Sequence, residues 1–265
     1  MKKDYSELTF TDDFMFCKVM ENYPDVARKT IELLLGAKIK KVSKVVIQKP
    51  AGARSDRRGV RFDAYLEDGE TIYDIEMQVQ DEEHLAKRSR YYHSAIDVDQ
   101  LKPQEVFGKL KTTYVIFICK NKLGDDFDKP IYTFTMRAKE ELQRELGDGI
   151  ITVIVNPYYK GGEISEELKA FLEYVRTGGI DSDDSFTSKI DNLVDELHSR
   201  GDWRNEYMTL YEMIEEAKTE GRAEGRAEGR AEGRAETITE VLAAAKKHGI
   251  NIDAIIADVK SAENN

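Results

Sequence analysis

Residues 61–80 read RFDAYLEDGETIYDIEMQVQ, and the fold turns on how the two halves of this stretch pair. β-Branched and aromatic residues alternate with polar ones, and Asp68 with Gly69 makes a tight turn between them, which predicts an antiparallel hairpin of strands 60–66 and 71–80. In the first strand Phe62, Ala64 and Leu66 point one way, opposite Arg61, Asp63 and Tyr65. In the second, Ile75, Met77 and Val79 point one way and Asp74, Glu76, Gln78 and Gln80 the other. Asp63 then lies across from Asp74 or, one pair shifted, from Glu76. Either register puts carboxylates on one face, near enough to share a divalent ion. Mg²⁺ takes oxygen ligands, usually one or two carboxylates completed by waters and phosphate oxygens, and it can activate water against a phosphodiester. The polar face of an ordinary half-exposed strand shows the same alternation. Acids facing each other repel, however, and call for a compensating cation, whether a metal or Arg61.

Working outward, VSKVVIQ (42–48) supplies a third strand. Before it, apolar residues recur at helical spacing from Phe14 to Leu35, with Asp12 or Asp13 able to cap the start, Pro24 splitting the run in two and Gly36 ending it. After the hairpin, Asp81 to Leu101 has the composition of a helix, and TTYVIFICK (112–120) is a continuous apolar run, hence a buried strand. The order is helix, three strands, helix, strand. Beyond it IYTFTM and IITVIV read as strands separated by a helix, AKEELQREL, and 165–176 as another helix.

The chain has 265 residues, 40% hydrophobic and 34% charged with five prolines, a globular rather than a disordered profile. No window is apolar enough for a membrane helix, and the start, MKKDYSELTF, lacks the apolar run of a signal peptide, so a cytoplasmic protein is expected. Cys17 and Cys119 sit in apolar runs without metal-spaced companions and read as buried thiols. His84, His93, His198 and His248 show no ligand spacing. The net charge of -11 argues against a large nonspecific polyanion surface, yet Lys38 to Asp63 is locally basic and 181–220 acidic, which suggests two functional regions.

Residues 220–235 are EGRA written four times. On a helix this period stacks Glu over Glu and Arg over Arg, and each Gly costs about 1 kcal/mol relative to Ala, so an isolated helix would be weak. A solvated spacer and a self-associating helix, close-packed at the glycines, both fit. The last segment looks like a helical hairpin turning at Gly249.

RFDAYLEDGETIYDIEMQ in this element order resembles the PD-(D/E)xK nuclease superfamily. More narrowly, TDDFMFCKVM, SDRRGVRFDAYLEDG, KRSRYYHSAID, GDWRNEYMTL and the glycine-rich charged repeat are similar to the Rpn family of recombination-promoting nucleases and transposases, over roughly residues 9 to 236. The resemblance implies an α/β, restriction-endonuclease-like core in residues 1–178. An acidic helical region (179–219), the repeat (220–236) and a helical tail (237–265) would follow. It implies a metal-dependent DNA endonuclease, linked to recombination or mobile elements, in which Asp63 and Glu76 ligate Mg²⁺ or another divalent ion such as Mn²⁺ or Ca²⁺, with the carbonyl of Met77 as a further ligand. The superfamily's lysine, two positions after the second acid, is here Gln78. Glutamine can orient a water but cannot supply a positive charge; Lys87, Arg88 or Arg90 could. Asp13 matches an acid of the family's opening motif and also reads as a helix cap, and Asp74 reads as the partner of an arginine. Arg54, Arg57 and Arg58, with Lys87, Arg88 and Tyr91, are candidates for holding DNA, although arginines on a solvated rim and tyrosines packed on the sheet read equally well. Homo-oligomerisation through the C-terminal helices is one implied partner. An inactive relative that binds nucleic acid or a protein through the same fold is the alternative reading.

Overall fold

A computed structural model describes residues 3–39, 42, 44–51, 60–78, 84–124, 126–180 and 185–250. The chain divides into two compact units, Met1–Arg204 and Asn205–Asn265. The first is an α/β unit. Its elements run α1 (Asp13–Asn22), α2 (Pro24–Leu35), β1 (Lys44–Ala51), β2 (Val60–Glu67), β3 (Thr71–Gln78), α3 (Leu85–Gln100), β4 (Thr112–Cys119), β5 (Ile131–Phe134), β6 (Ile150–Val155), α4 (Glu166–Thr177) and α5 (Ser185–His198).

Among the described residues the strands form one sheet in the order β1-β2-β3-β4-β6-β5. The first three pair antiparallel, β3, β4 and β6 pair parallel, and β5 closes the far edge antiparallel to β6. The β2–β3 turn uses Gly69 at φ 104°, a conformation that a side chain would disfavour. Pro24 opens α2 at its first position, where the missing N–H costs nothing, and Gly36 ends it at φ 63°.

The apolar run of β4 follows from its place in the middle of the sheet, covered on both faces. Val115, Phe117 and Cys119 pack with Leu85, Tyr92, Ala95 and Ile96 of α3. On the other side α1 packs against β1 and β2, and Phe10 joins it to α4 through Phe16 and Phe171. Each fully buried side chain of this size contributes roughly 1.5–3 kcal/mol. Cys17 and Cys119 are free and buried, as expected from their surroundings. The acidic helix α5 belongs to this unit, burying Phe186, Ile190, Val194 and Leu197.

One predicted element is absent. AKEELQREL forms no helix; it is a folded-back arm after β5, closed by the Arg137↔Glu145 bridge and by bonds from Ala138 N–H to Arg144 O and from Leu146 N–H to Met136 O. A nine-residue helix needs a face to pack on, and here Leu142 and Leu146 have none and stay exposed.

Helix α6 (Gly201–Lys247) begins in the last residues of the first unit, makes up most of the described part of the second, and continues through all four repeats, which are exposed along their length. Ala, Arg and Glu, three of every four residues, are strong helix formers and offset the glycines. Gly249 lies at φ 67°, where Ile250 N–H caps Ala245 O. Among the described residues no helix is long and apolar enough to cross a membrane.

Candidate functional site

The β2–β3 ladder runs from Glu67↔Ile72 to Ala64↔Ile75, and one residue further along the same register Asp63 comes opposite Glu76. There the two strands stop exchanging backbone bonds. Asp63 N–H donates instead to Glu76 Oε1 at 2.9 Å, and Met77 N–H donates to Asp63 Oδ2 at 3.2 Å. Each acid is thereby tied to the other's strand.

The same point breaks the predicted alternation of β2. The Phe62 ring lies 5.8 Å from Tyr65 and 5.5 Å from Tyr92 of α3, so Phe62 shares a face with Tyr65 rather than with Ala64 and Leu66. Arg61, its neighbour, reaches the other way to Asp13 Oδ2 at 3.3 Å. A strand that keeps its period past Asp63 would send either Phe62 or Tyr65 out of the α3 core.

Glu76 is buried, its side chain 1% exposed, and Oε2 accepts from Arg88 Nη2 at 2.6 Å. Arg88 Nη1 donates to Gln78 Oε1 at 2.5 Å; a guanidinium has only donors, which fixes that atom of Gln78 as its oxygen. Nη2 also donates to the Tyr92 hydroxyl at 2.8 Å, and the guanidinium lies 5.0 and 5.4 Å from the centres of the Tyr92 and Phe117 rings. One cation thus serves three acceptors on two elements.

Negative charge crowds this corner. Burial, then the neighbouring Glu76 and Asp13, raise the proton affinity of Asp63 well above that of a free carboxyl. Burial also raises that of Glu76, against the opposing pull of the Asp63 N–H and Arg88. Asp74, expected to pair with an arginine, makes no ion pair with one among the described residues; it lies against Glu76, and burial with Glu76 and Asp63 beside it drives its proton affinity up strongly. From α1, Asp13 Oδ1 lies 3.7 Å from Cys17 Sγ, which is also 3.5 Å from the carbonyl oxygen of Asp63. Asp12, the residue before α1, makes no capping bond into the helix; its carboxylate turns back to the Thr9 N–H and Lys3.

These residues fit a hard divalent cation. Two buried carboxylates with their charge only partly offset are the donor type that Mg²⁺ takes. Among the described residues no three Asp, Glu, His or Cys side chains form a complete cage.

The remaining candidates separate. Buried Leu85, Ser89, Tyr92 and Ile96, with Arg88 between them, form the sheet-facing stripe of α3, while Lys87, Arg90 and Tyr91 are exposed on its other side. Arg88 therefore turns to the acids, and Tyr92 packs on the sheet. Its inward aim was readable from the i, i+3, i+4 spacing Leu85, Arg88, Ser89, Tyr92. Arg54, Arg57 and Arg58 lie outside the described residues.

One family model, that of the PD-(D/E)XK nuclease family transposases, matches residues 12–157, more than half of the chain. The chain belongs to this family. The matched span of this PD-(D/E)XK family member runs from α1 through β6 and contains Asp13, Asp63, Glu76, Gln78 and Arg88, whereas α4, α5 and α6 follow it. No curated protein and no solved structure matches the chain.

Proposed function

We propose that the chain is a Mg²⁺-dependent endonuclease that hydrolyses phosphodiester bonds in DNA, with Asp63 and Glu76 holding the ion. The observation that carries this reading is the pair of acids locked across the end of the β2–β3 ladder, each accepting an N–H from the other's strand. A divalent ion bound there would neutralise charge on the phosphate and lower the proton affinity of an attacking water. The chain's own part is to hold the two carboxylates in place. The Asp63 N–H and Arg88 keep Glu76 oriented, and Met77 N–H keeps Asp63 oriented. Gln78, turned by Arg88, is the group that orients the water. Lys87 and Tyr91, exposed together on α3, supply a phosphate contact and a stacking surface.

We place the activity in the cytoplasm, in recombination or the movement of mobile elements. Association of copies through α6 draws on exposed Ile238, Val241 and Leu242, spaced as one stripe on an exposed helix. Light scattering would test it: fewer chains per particle for protein ending at Glu215 than for the whole chain would support it, and an unchanged number would overturn it.

A second reading, a nuclease fold that binds nucleic acid or a protein without cutting, is favoured by Gln78 and by the engagement of both Glu76 oxygens. Calorimetric titration of Mn²⁺ in the absence of DNA separates the two. Saturable binding that disappears in Asp63→Ala and in Glu76→Ala supports the enzyme; weak binding unchanged by either substitution supports the binding module.

A further inference from the structure

Glu76 is the most deeply enclosed carboxylate that the site uses, and a bare anion there would be costly. Gln78, two residues along the same face, brings no charge. Arg88 meets both at once through different nitrogens of one planar group, and that group is itself fixed by the Tyr92 hydroxyl and the flanking Tyr92 and Phe117 rings. A guanidinium held at five points does not wander onto a passing phosphate. Its side chain is 28% exposed, so its charge still reaches the mouth of the site.

We infer that Arg88 is a positioning residue that delivers from α3 the positive charge which Gln78 does not carry. It holds Glu76 in place, and it turns the Gln78 side chain so that its oxygen faces the guanidinium. The inference rests on the nuclease reading above and adds the source of the charge. It predicts that the charge can be moved: a lysine at position 78 would put its ammonium between the same acceptors, provided that Arg88 is not there to repel it.

The test is metal-dependent cutting of supercoiled plasmid by the full chain and by Arg88→Met, Arg88→Lys, Gln78→Lys and the double substitution Arg88→Met with Gln78→Lys, each checked for folding by circular dichroism. Arg88→Met should lower kcat by about 10- to 100-fold with KM for DNA little changed, the scale seen when a group that orients ligating residues is lost. Arg88→Lys keeps the counter-ion but not the fork, and should fold while cutting about tenfold more slowly. Gln78→Lys alone should also be slow, because two cations then crowd one carboxylate. The double substitution should recover at least tenfold over Arg88→Met, again on that scale. A rise in KM with kcat unchanged in Arg88→Met would overturn the proposal in favour of a direct phosphate contact. So would a folded double variant no faster than Arg88→Met, or, should the Met variants not fold, a folded Arg88→Lys as fast as wild type. If the wild type cuts nothing in any metal, the nuclease reading itself fails and takes this proposal with it; wild-type cutting matched by folded Arg88→Met refutes Arg88 alone.

Discussion

Helix α3 covers two polar clusters that obey opposite rules, one anchored by Arg88 and Tyr92 and the other by their chain neighbours Ser89 and His93. Beneath Ser89 and His93 the hydrogen-bonded groups are neutral and matched, with Asp148 the charge that His93 feels. His93 Nδ1 lies 2.8 Å from Thr113 Oγ1 and Nε2 lies 3.2 Å from Thr152 Oγ1, while Ser89 Oγ is 2.5 Å from the same Thr152 hydroxyl. Burial lowers the pKa of His93 to about 4, so the ring is uncharged. Beneath Arg88 the groups are acids, Asp63, Glu76 and Asp74, crowded together so that burial and their neighbours raise the proton affinity of each, with a guanidinium against Glu76. A satisfied neutral network fixes the packing of a helix on a sheet. Buried acids crowded in this way are relieved by a proton or by a cation from outside the chain, and on the proposed function the difference between the clusters is that between scaffold and site.

The largest effects should come from breaking the charged cluster. Asp63→Asn keeps an oxygen for the Met77 N–H and removes one of the crowded charges. It should reduce plasmid cutting by about a thousand-fold, the scale of losing several kcal/mol of metal-assisted stabilisation, while the melting temperature holds or rises. A clear fall in melting temperature would place Asp63 with the scaffold. Breaking the neutral cluster should do the reverse. His93→Ala removes a buried ring and leaves Thr113 and Thr152 short of partners, which should cost about 3 kcal/mol in denaturant unfolding while the folded fraction cuts as before.

The two clusters also respond differently to acid. The unfolded chain protonates His93 near pH 6.5, whereas the folded chain resists until about pH 4. Between those values the unfolded state holds the extra proton. The stability from this group is therefore complete above pH 6.5 and is lost as the pH falls toward 4, by roughly 3 kcal/mol. Denaturant unfolding across that window should show this slope in the wild type and a flatter one in His93→Gln. The smallest effect is expected outside both clusters: Tyr91→Ala, on the exposed face of α3, should weaken DNA binding by about 1–2 kcal/mol in KM without altering kcat.

Much of this was legible in the sequence, and the failures share a cause. Alternation and the Asp68-Gly69 turn were enough for the hairpin, and the continuous apolar run of β4 was enough for a buried strand; its parallel pairing and central place come from the sheet. Local pattern could not choose between Asp74 and Glu76 as the residue opposite Asp63, since the register follows from the turn and from the whole sheet. It also missed the reversal at Phe62, which exists because Phe62 and Tyr65 both pack toward α3. Helix propensity was read correctly in α3 and wrongly in AKEELQREL, where no core faces Leu142 and Leu146. Arg88 was one of three candidate cations in the sequence; only the buried stripe of α3 singles it out.

The central claim is that Asp63 and Glu76 form a metal-dependent nuclease site, and plasmid cleavage tests it most directly. Purified full-length protein is incubated with supercoiled DNA in Mg²⁺, Mn²⁺, Ca²⁺ or chelator, beside the Asp63→Ala, Glu76→Ala double variant. Nicking or linearisation that requires a divalent ion and vanishes in the double variant is the predicted result. Equal cutting by the variant, or no cutting by well-folded wild type in any metal, would contradict it.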